Sequence, residues 1–312
     1  DPGAPPAARR RRGTVKAGYV ALVGRPNAGK STLMNRLIGQ KLSIVSDKPQ
    51  TTRHRITGVL NTPGGQLVFI DTPGIHKPEH TMNRRMVKAA LDTLREADLV
   101  VLVVDAAEEP GWGDRFVMDL LADLHKPLII VLNKVDRVKD KTSLLPRIES
   151  YAKGITNHAV IPISALKGNQ VDDLLKEMLA VLPEGEPLFD EEYFTDQSER
   201  TLAAELIREK VLAHTRDELP YSTAVVIDQF AEAETPGGVT KIYASILVDH
   251  DSQKPIVIGK GGEMIKRIGT EARKDLQEML EGPVYLDLHV KVRKDWREDE
   301  RLLDELGLPK RS

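Results

Sequence analysis

Apolar and polar positions follow one rhythm up to about residue 183 and another after it. In the first part, short unbroken apolar runs alternate with stretches whose apolar residues recur every three or four positions. The runs Tyr19 to Val23, Gln66 to Ile70, Leu99 to Val104, Leu128 to Leu132 and Val160 to Ile163 predict strands. Because neighbours within each run are both apolar, these are strands buried on both faces of a mostly parallel sheet. The stretches Thr32 to Ile38, Asn83 to Arg95, Asp114 to Leu124 and Val171 to Leu182 predict the helices that cover it. Pro183, Gly185 and Pro187, set among acidic residues, break the pattern and predict a linker.

The second region opens with a predicted helix from about Arg200 to Ala213. Strand-like runs Ser222 to Phe230 and Lys241 to Val248 follow, joined through Thr235-Pro236-Gly237-Gly238. A turn, a glycine-rich segment and a helical run to Leu280 come next. In the last stretch Val284, Leu286, Leu288, Val290 and Val292 alternate with Tyr285, Asp287, His289 and Lys291, the period of a half-buried strand. This half reads as α+β with one open sheet. The expected division is a flexible arm over 1–16, a first domain over 17–182, a linker over 183–196, a second domain over 197–297 and a tail over 298–312.

Composition narrows the class. A chain of 312 residues, 40% hydrophobic and 29% charged, suits two globular domains. The formal charge of -2 hides a local excess: Arg9, Arg10, Arg11, Arg12 and Lys16 face only Asp1 in the first sixteen residues. The arm so formed could touch RNA or a transit receptor, and its bland reading is a solvated tail. There is no cysteine, which excludes disulfides, thiolate metal sites and thiol catalysis and agrees with a reducing, intracellular setting. No apolar run approaches the roughly 20 residues of a membrane-spanning helix.

Gly24-Arg25-Pro26-Asn27-Ala28-Gly29-Lys30-Ser31 lies between a predicted strand and a predicted helix, and Thr32 continues into that helix. In this context the pattern is a phosphate loop: backbone N–H groups turn inward around phosphate oxygens and the helix points its positive end at them. Lys30 is then expected at the β- and γ-phosphates and the Ser31 hydroxyl on Mg²⁺. Asp71-Thr72-Pro73-Gly74 follows the next strand, placing Asp71 to hold Mg²⁺ through water and the Gly74 N–H to meet a γ-phosphate. Asn133-Lys134-Val135-Asp136 follows another strand. A carboxylate there accepts from both the ring N–H and the exocyclic amine of guanine, a donor pair adenine lacks. Ser164-Ala165 ends a further strand, where the Ala165 N–H can donate to the guanine carbonyl. Each motif alone is weak, and Asp136 by itself would more often be a helix cap. Four in order on successive strand ends specify GTP or GDP.

These residues, with Gln50-Thr51-Thr52-Arg53-His54-Arg55, resemble the motifs of translation-factor-related Ras-like GTPases, and within them the Era family, over residues 17 to 297. The resemblance implies an α/β P-loop GTPase domain followed by a smaller α+β type II KH domain. It places Thr52 over Mg²⁺ and the γ-phosphate, with Thr51 as the alternative, so that Lys30, Thr52 and Gly74 form the catalytic set. Ile75 departs from Ras, where a glutamine at this place orients the attacking water; isoleucine has no group for that task. Asn27 resembles the asparagine that helps hold a potassium ion in related GTPases, and its bland role is to tolerate the loop turn.

Val257-Ile258-Gly259-Lys260-Gly261-Gly262-Glu263-Met264-Ile265 resembles the KH signature, with Gly259 and Gly262 as its fixed glycines. Bare backbone there lets the loop approach the phosphates of a single strand while an apolar groove receives bases, with Ile258 and Ile265 lining or supporting it. From Lys254 to Arg297 ten Lys/Arg stand against seven Asp/Glu, so any basic strip must be local. The Era resemblance implies binding near the 3′ end of 16S ribosomal RNA, action on the 30S subunit or its precursor, a monomeric chain in the cytoplasm, and peripheral membrane contact. The competing class is a GTPase that works through protein or membrane partners.

Overall fold

The computed structural model describes residues 14–46, 48, 51–74, 80–109, 111–215 and 219–308. Seven strands form the first sheet: β1 (Val15–Val23), β2 (Ile56–Thr62), β3 (Gly65–Asp71), β4 (Leu99–Asp105), β5 (Leu128–Asn133), β6 (Ala159–Pro162) and β7 (Glu184–Gly185). Their order is β2-β3-β1-β4-β5-β6, and β7 pairs antiparallel with the start of β1. The pairs linking β3, β1, β4, β5 and β6 are parallel, whereas β2 runs antiparallel to β3. The helices α1 (Lys30–Ile38), α2 (Thr81–Glu96), α3 (Trp112–Ala122), α4 (Leu144–Gly154) and α5 (Val171–Val181) cover its two faces. Alternation along β1 divides the core between those faces. Val20 and Leu22 pack with Leu33, Leu174 and Met178 on one side, and Ala21 and Val23 with Ala90, Leu94 and Val117 on the other. Each fully buried Val, Leu or Met side chain among these contributes about 1.5–3 kcal/mol of transfer free energy.

The sequence rhythm marked five of these strands and missed β2 and β7. Its polar residues obscure β2, which completes the edge of the sheet. It also passed over α4, whose Pro146 sits in the first turn, where a missing N–H costs the helix nothing.

The second unit comprises α6 (Glu199–His214), α7 (Leu219–Ser222), β8 (Ala224–Ala231), β9 (Thr240–Val248), α8 (Lys254–Ile258), α9 (Glu263–Met279) and β10 (Val284–Val292). Its sheet runs β10-β9-β8, with β10 parallel and β8 antiparallel to β9. With the four-residue α7 set aside, the α-β-β-α-α-β order and the parallel last strand are those of the type II KH fold. Ile268, Ala272 and Leu276 recur every four residues on α9 and are fully buried against Ile242, Ala244 and Ile246 of β9.

Two stretches expected to be peripheral are built into the structure. Within 183–196, the Val59 N–H donates to the Phe194 carbonyl at 2.9 Å, so the connection lies along the β2 edge. Within 298–312, α10 (Glu300–Glu305) and the residues after it bury Leu302, Leu303 and Leu308 with Met82 and Met86 of α2 and Ala224, Leu247 and Trp296 of the second unit. The pattern of 298–312 is too short to show periodicity; its apolar residues are spent on this joint. Among the described residues, no helix is long and apolar enough to cross a membrane.

Candidate functional site

β1 ends at Val23 and α1 begins at Lys30, so residues 24–29 make the turn between a central strand and the positive end of a helix. The buried Lys30 ammonium donates to the carbonyls of Gly24 at 3.1 Å and Arg25 at 2.9 Å. Burial lowers its pKa to about 8, with Asp71 pulling the other way. Gly29 has φ +98°, and a Cβ there would lie 2.2 Å from Asn133 Nδ2. Only glycine lets the phosphate loop approach the base-reading loop this closely.

Three oxygens converge below the loop. Ser31 Oγ lies 2.9 Å from Thr52 Oγ1 and 2.7 Å from Asp71 Oδ2, and Thr52 Oγ1 donates to the same carboxylate oxygen at 3.3 Å. Ser43 Oγ adds a further bond to it at 2.8 Å. Burial raises the Asp71 pKa against the pull of Lys30 and these hydroxyls. Asp71 Oδ1 is buried with no hydrogen-bond partner. Two hydroxyls and a buried carboxylate with an unsatisfied oxygen are a hard-oxygen donor set, which fits Mg²⁺ completed by phosphate oxygens and water.

The base-reading residues interlock. Asn133 donates through Nδ2 to the Ala28 carbonyl at 2.9 Å and accepts through Oδ1 from the Ala165 N–H at 2.9 Å. Lys134 has φ +64°, and its ammonium bonds the Asn27 carbonyl at 2.5 Å and Asp105 at 2.6 Å. Ser164 Oγ donates to Asp136 Oδ1 at 2.5 Å, fixing the carboxylate expected to read guanine.

A cavity of about 530 Å³ brings together Pro26, Asn27, Gly29, Lys30, Ser31, Thr32, Thr52, Gly74, Asn133, Lys134 and Asp136. Thr51 lines it beside Thr52. Other expected site residues stand behind its wall. The Arg25 guanidinium turns to Asp114 at 3.0 Å, and Thr72 Oγ1 donates to the Leu22 carbonyl at 2.8 Å, so both brace the loops from outside. Gly24, Ala28, Asp71, Pro73, Ser164 and Ala165 do not line this cavity either. Ala165 N–H, expected on the guanine carbonyl, is here donated to Asn133. Asn27 sits at φ +64°, the left-handed turn its bland reading assigned it. Gln50 and Ile75 lie outside the described residues. Residues not anticipated are Ser43, Asp105 and Leu166; only Asp105, at the end of an apolar run, carried a sequence signal.

In the second unit, Gly259 has φ +76°, and a Cβ there would meet Met264 Cβ at 2.6 Å. At Gly261 and Gly262 a Cβ would meet nothing, although φ is +61° and +81°. Packing and backbone together exclude a side chain at the first glycine, whereas at the other two only the left-handed backbone favours glycine. Lys260 is exposed on this loop at the start of α9. A groove of about 390 Å³ runs between α9 and β10, with Ile265, Gly269, Leu286 and Leu288 as its apolar part and Lys266 and Arg273 as its basic part. Ile265 is the one expected contact residue that lines it, while Ile258 packs toward the core. The sequence did not mark Lys266 and Arg273, because overall charge hides a strip seven residues apart on one helix face.

Fold and site together define a P-loop GTPase carrying a KH module. The family model for 50S ribosome-binding GTPases matches residues 19–134 and that for KH domains matches residues 218–297. The GTPase Era of Geobacter metallireducens is 49% identical over 292 residues, which cover 94% of this chain and 97% of the relative. That of Heliobacterium modesticaldum is 48% identical over 293 residues, covering 94% and 97%. The chain belongs to the Era family of GTPases. A crystal structure of Era in complex with MgGDPNP and nucleotides 1506-1542 of 16S ribosomal RNA superposes with TM-score 0.91 at 43% identity, over 95% of this chain and 100% of that one. An Aquifex aeolicus Era variant bound to GDP and aluminium fluoride gives TM-score 0.90 at the same identity and coverage.

Proposed function

We propose that this protein is a GTP-hydrolysing switch that binds 16S ribosomal RNA near its 3′ end through the KH module and assists assembly of the 30S subunit. The observation that carries the RNA reading is the α9–β10 groove, apolar within and basic at Lys266 and Arg273, on the helix that the glycine loop leads into. Unstacked bases can enter such a groove while the loop meets phosphates. The Era complex with 16S nucleotides 1506-1542 supports the choice of RNA.

In the nucleotide site, Lys30 carries positive charge to the β- and γ-phosphates, and Ser31, Thr52 and Asp71 hold Mg²⁺. Held there, Mg²⁺ would supply positive charge against the charge that develops on the phosphates. Gly74 offers its N–H to the γ-phosphate, and Asp136 reads guanine. We assign residues 17–182 to the GTPase domain and 197–297 to the KH module, acting as a monomer in the cytoplasm, with Asn27 as a potassium ligand beside the phosphates. Peripheral membrane contact stays part of this reading.

Crosslinking in cells followed by sequencing of the bound RNA tests the partner. Reads concentrated at the 3′ end of small-subunit RNA are expected; recovery of protein or lipid without RNA would replace this reading with the partner-protein or membrane class.

A further inference from the structure

The loop after β6, which lines the nucleotide cavity through Leu166, is held from outside by an arginine that no motif contains. Arg36 lies in the last turn of α1, the helix that begins with Lys30 and Ser31. Its Nε donates to the Ala165 carbonyl at 3.1 Å and its Nη2 to the Leu166 carbonyl at 2.5 Å. A planar guanidinium spanning two consecutive carbonyls fixes the orientation of two consecutive peptides.

What this fixes follows from peptide geometry. The described peptides are all trans, so the C=O and N–H of one peptide point in opposite directions. The Ala165 carbonyl belongs to the same peptide as the Leu166 N–H. Leu166 lines the nucleotide cavity and Arg36 does not. Turning the Ala165 carbonyl outward to Arg36 therefore turns the Leu166 N–H toward the cavity. The neighbouring Ala165 N–H is already donated to Asn133 Oδ1, and the Lys167 N–H to Ser164 Oγ at 3.1 Å. The inner side of the loop is thus fastened by Asn133 and Ser164, and the outer side by Arg36.

We infer that Arg36 is a positioning residue for guanine recognition: by clamping the Ala165 and Leu166 carbonyls it aims the Leu166 N–H at the carbonyl oxygen of the base. Asp136 reads the ring N–H and the amine, and the clamped peptide reads the oxygen on the same edge. Because α1 carries both the phosphate contacts and the clamp, one rigid element sets the distance between them. The inference rests on the guanine site and is independent of the RNA reading.

The test measures affinity of the full chain for GDP and for the diphosphate of 2-aminopurine riboside, which keeps the amine but has no carbonyl. Arg36→Ala should weaken GDP by about three- to tenfold, the loss of one well-aimed hydrogen bond, and leave the analogue unchanged, so that the preference for GDP shrinks by that factor. Arg36→Lys, a point donor unable to span both carbonyls, should fall between. The analogue also lacks the ring N–H that Asp136 reads; that loss is common to all the proteins and cancels in the ratio. A wild-type chain that bound GDP no better than ADP would instead strike at the guanine site itself. If wild type prefers GDP and Arg36→Ala keeps the full preference over the analogue, the inference is overturned, whether both affinities fall together or neither changes.

Discussion

The guanidinium of Arg53 lies over the ring of Trp296, its central carbon 5.5 Å from the ring centroid, and its Nη1 donates to the Thr223 carbonyl at 2.7 Å. Arg53 follows Thr52 in the first switch, whereas Trp296 and Thr223 belong to the second unit. On the other side of Thr52, the Thr51 carbonyl accepts from Arg208 of α6. The hydroxyl assigned to Mg²⁺ is therefore flanked on both sides by bonds to the KH module.

Removing that anchor should loosen the joint before it unfolds either unit. Arg53→Ala deletes a buried charged hydrogen bond and a desolvated cation–π contact, together about 2–4 kcal/mol. Calorimetry should show an earlier, separate transition in place of one cooperative event. An unchanged trace would mean that the apolar cluster of Met82, Met86, Leu302 and Leu303 holds the joint alone.

His54, beside Arg53, makes the same joint sensitive to pH. Burial lowers its pKa below the ordinary 6.5; Glu205 and a hydrogen bond to the backbone of Gly307 oppose this, and Arg208 and Arg53 reinforce it. The unfolded chain takes up a proton near pH 6.5 that the folded chain resists, so stability is full above 6.5 and falls as pH drops below it. The slope is at most about 1.4 kcal/mol per pH unit. Glu205, whose pKa is lowered, contributes stability that is lost only at still lower pH, below its ordinary 4.5. Melting temperature should fall between pH 7 and 5.5, and His54→Asn should flatten that decline.

Asp136→Asn should weaken GTP and improve xanthosine triphosphate, because an amide donor suits the carbonyl that replaces the guanine amine. Nucleotide titration reads the exchange, and an unaltered GTP preference would remove Asp136 from base recognition.

Potassium, but not sodium, should raise GTP turnover, and Asn27→Ala should erase the difference. Equal rates in the two salts would leave Asn27 with the left-handed turn as its whole role.

Changing Lys260 and Gly261 together to Asp should sharply reduce single-strand RNA binding at fixed salt, since two carboxylates would face the RNA backbone. A Cβ at Gly261 meets nothing, and aspartate tolerates its φ of +61°, so the fold should survive. GTP binding should not change. A folded variant, checked by circular dichroism, that held RNA as tightly as wild type would refute the KH contact.

The phosphate loop, the Asp71, Asn133 and Ser164 motifs, the KH loop and most helices and strands were legible in the sequence because each is local. A loop's conformation or a strand's burial is written in residues that are neighbours in the chain, and chain order alone lines the motifs up on successive strand ends. Whatever joins distant segments was not legible. The edge strand β2 exists because β3 offers it a partner. The sequence showed Asn133 but not that it ties Ala28 to Ala165, and it gave no sign of Arg36 reaching Ala165 and Leu166 at a separation of about 130 residues. Arg53 was legible as part of a switch motif but not as a partner of Trp296, and Trp296 and α10 looked like a domain end and a tail. Tertiary structure alone decided these, because a hydrogen bond or a buried contact depends on where two side chains meet in space, and chain pattern specifies only how each segment turns.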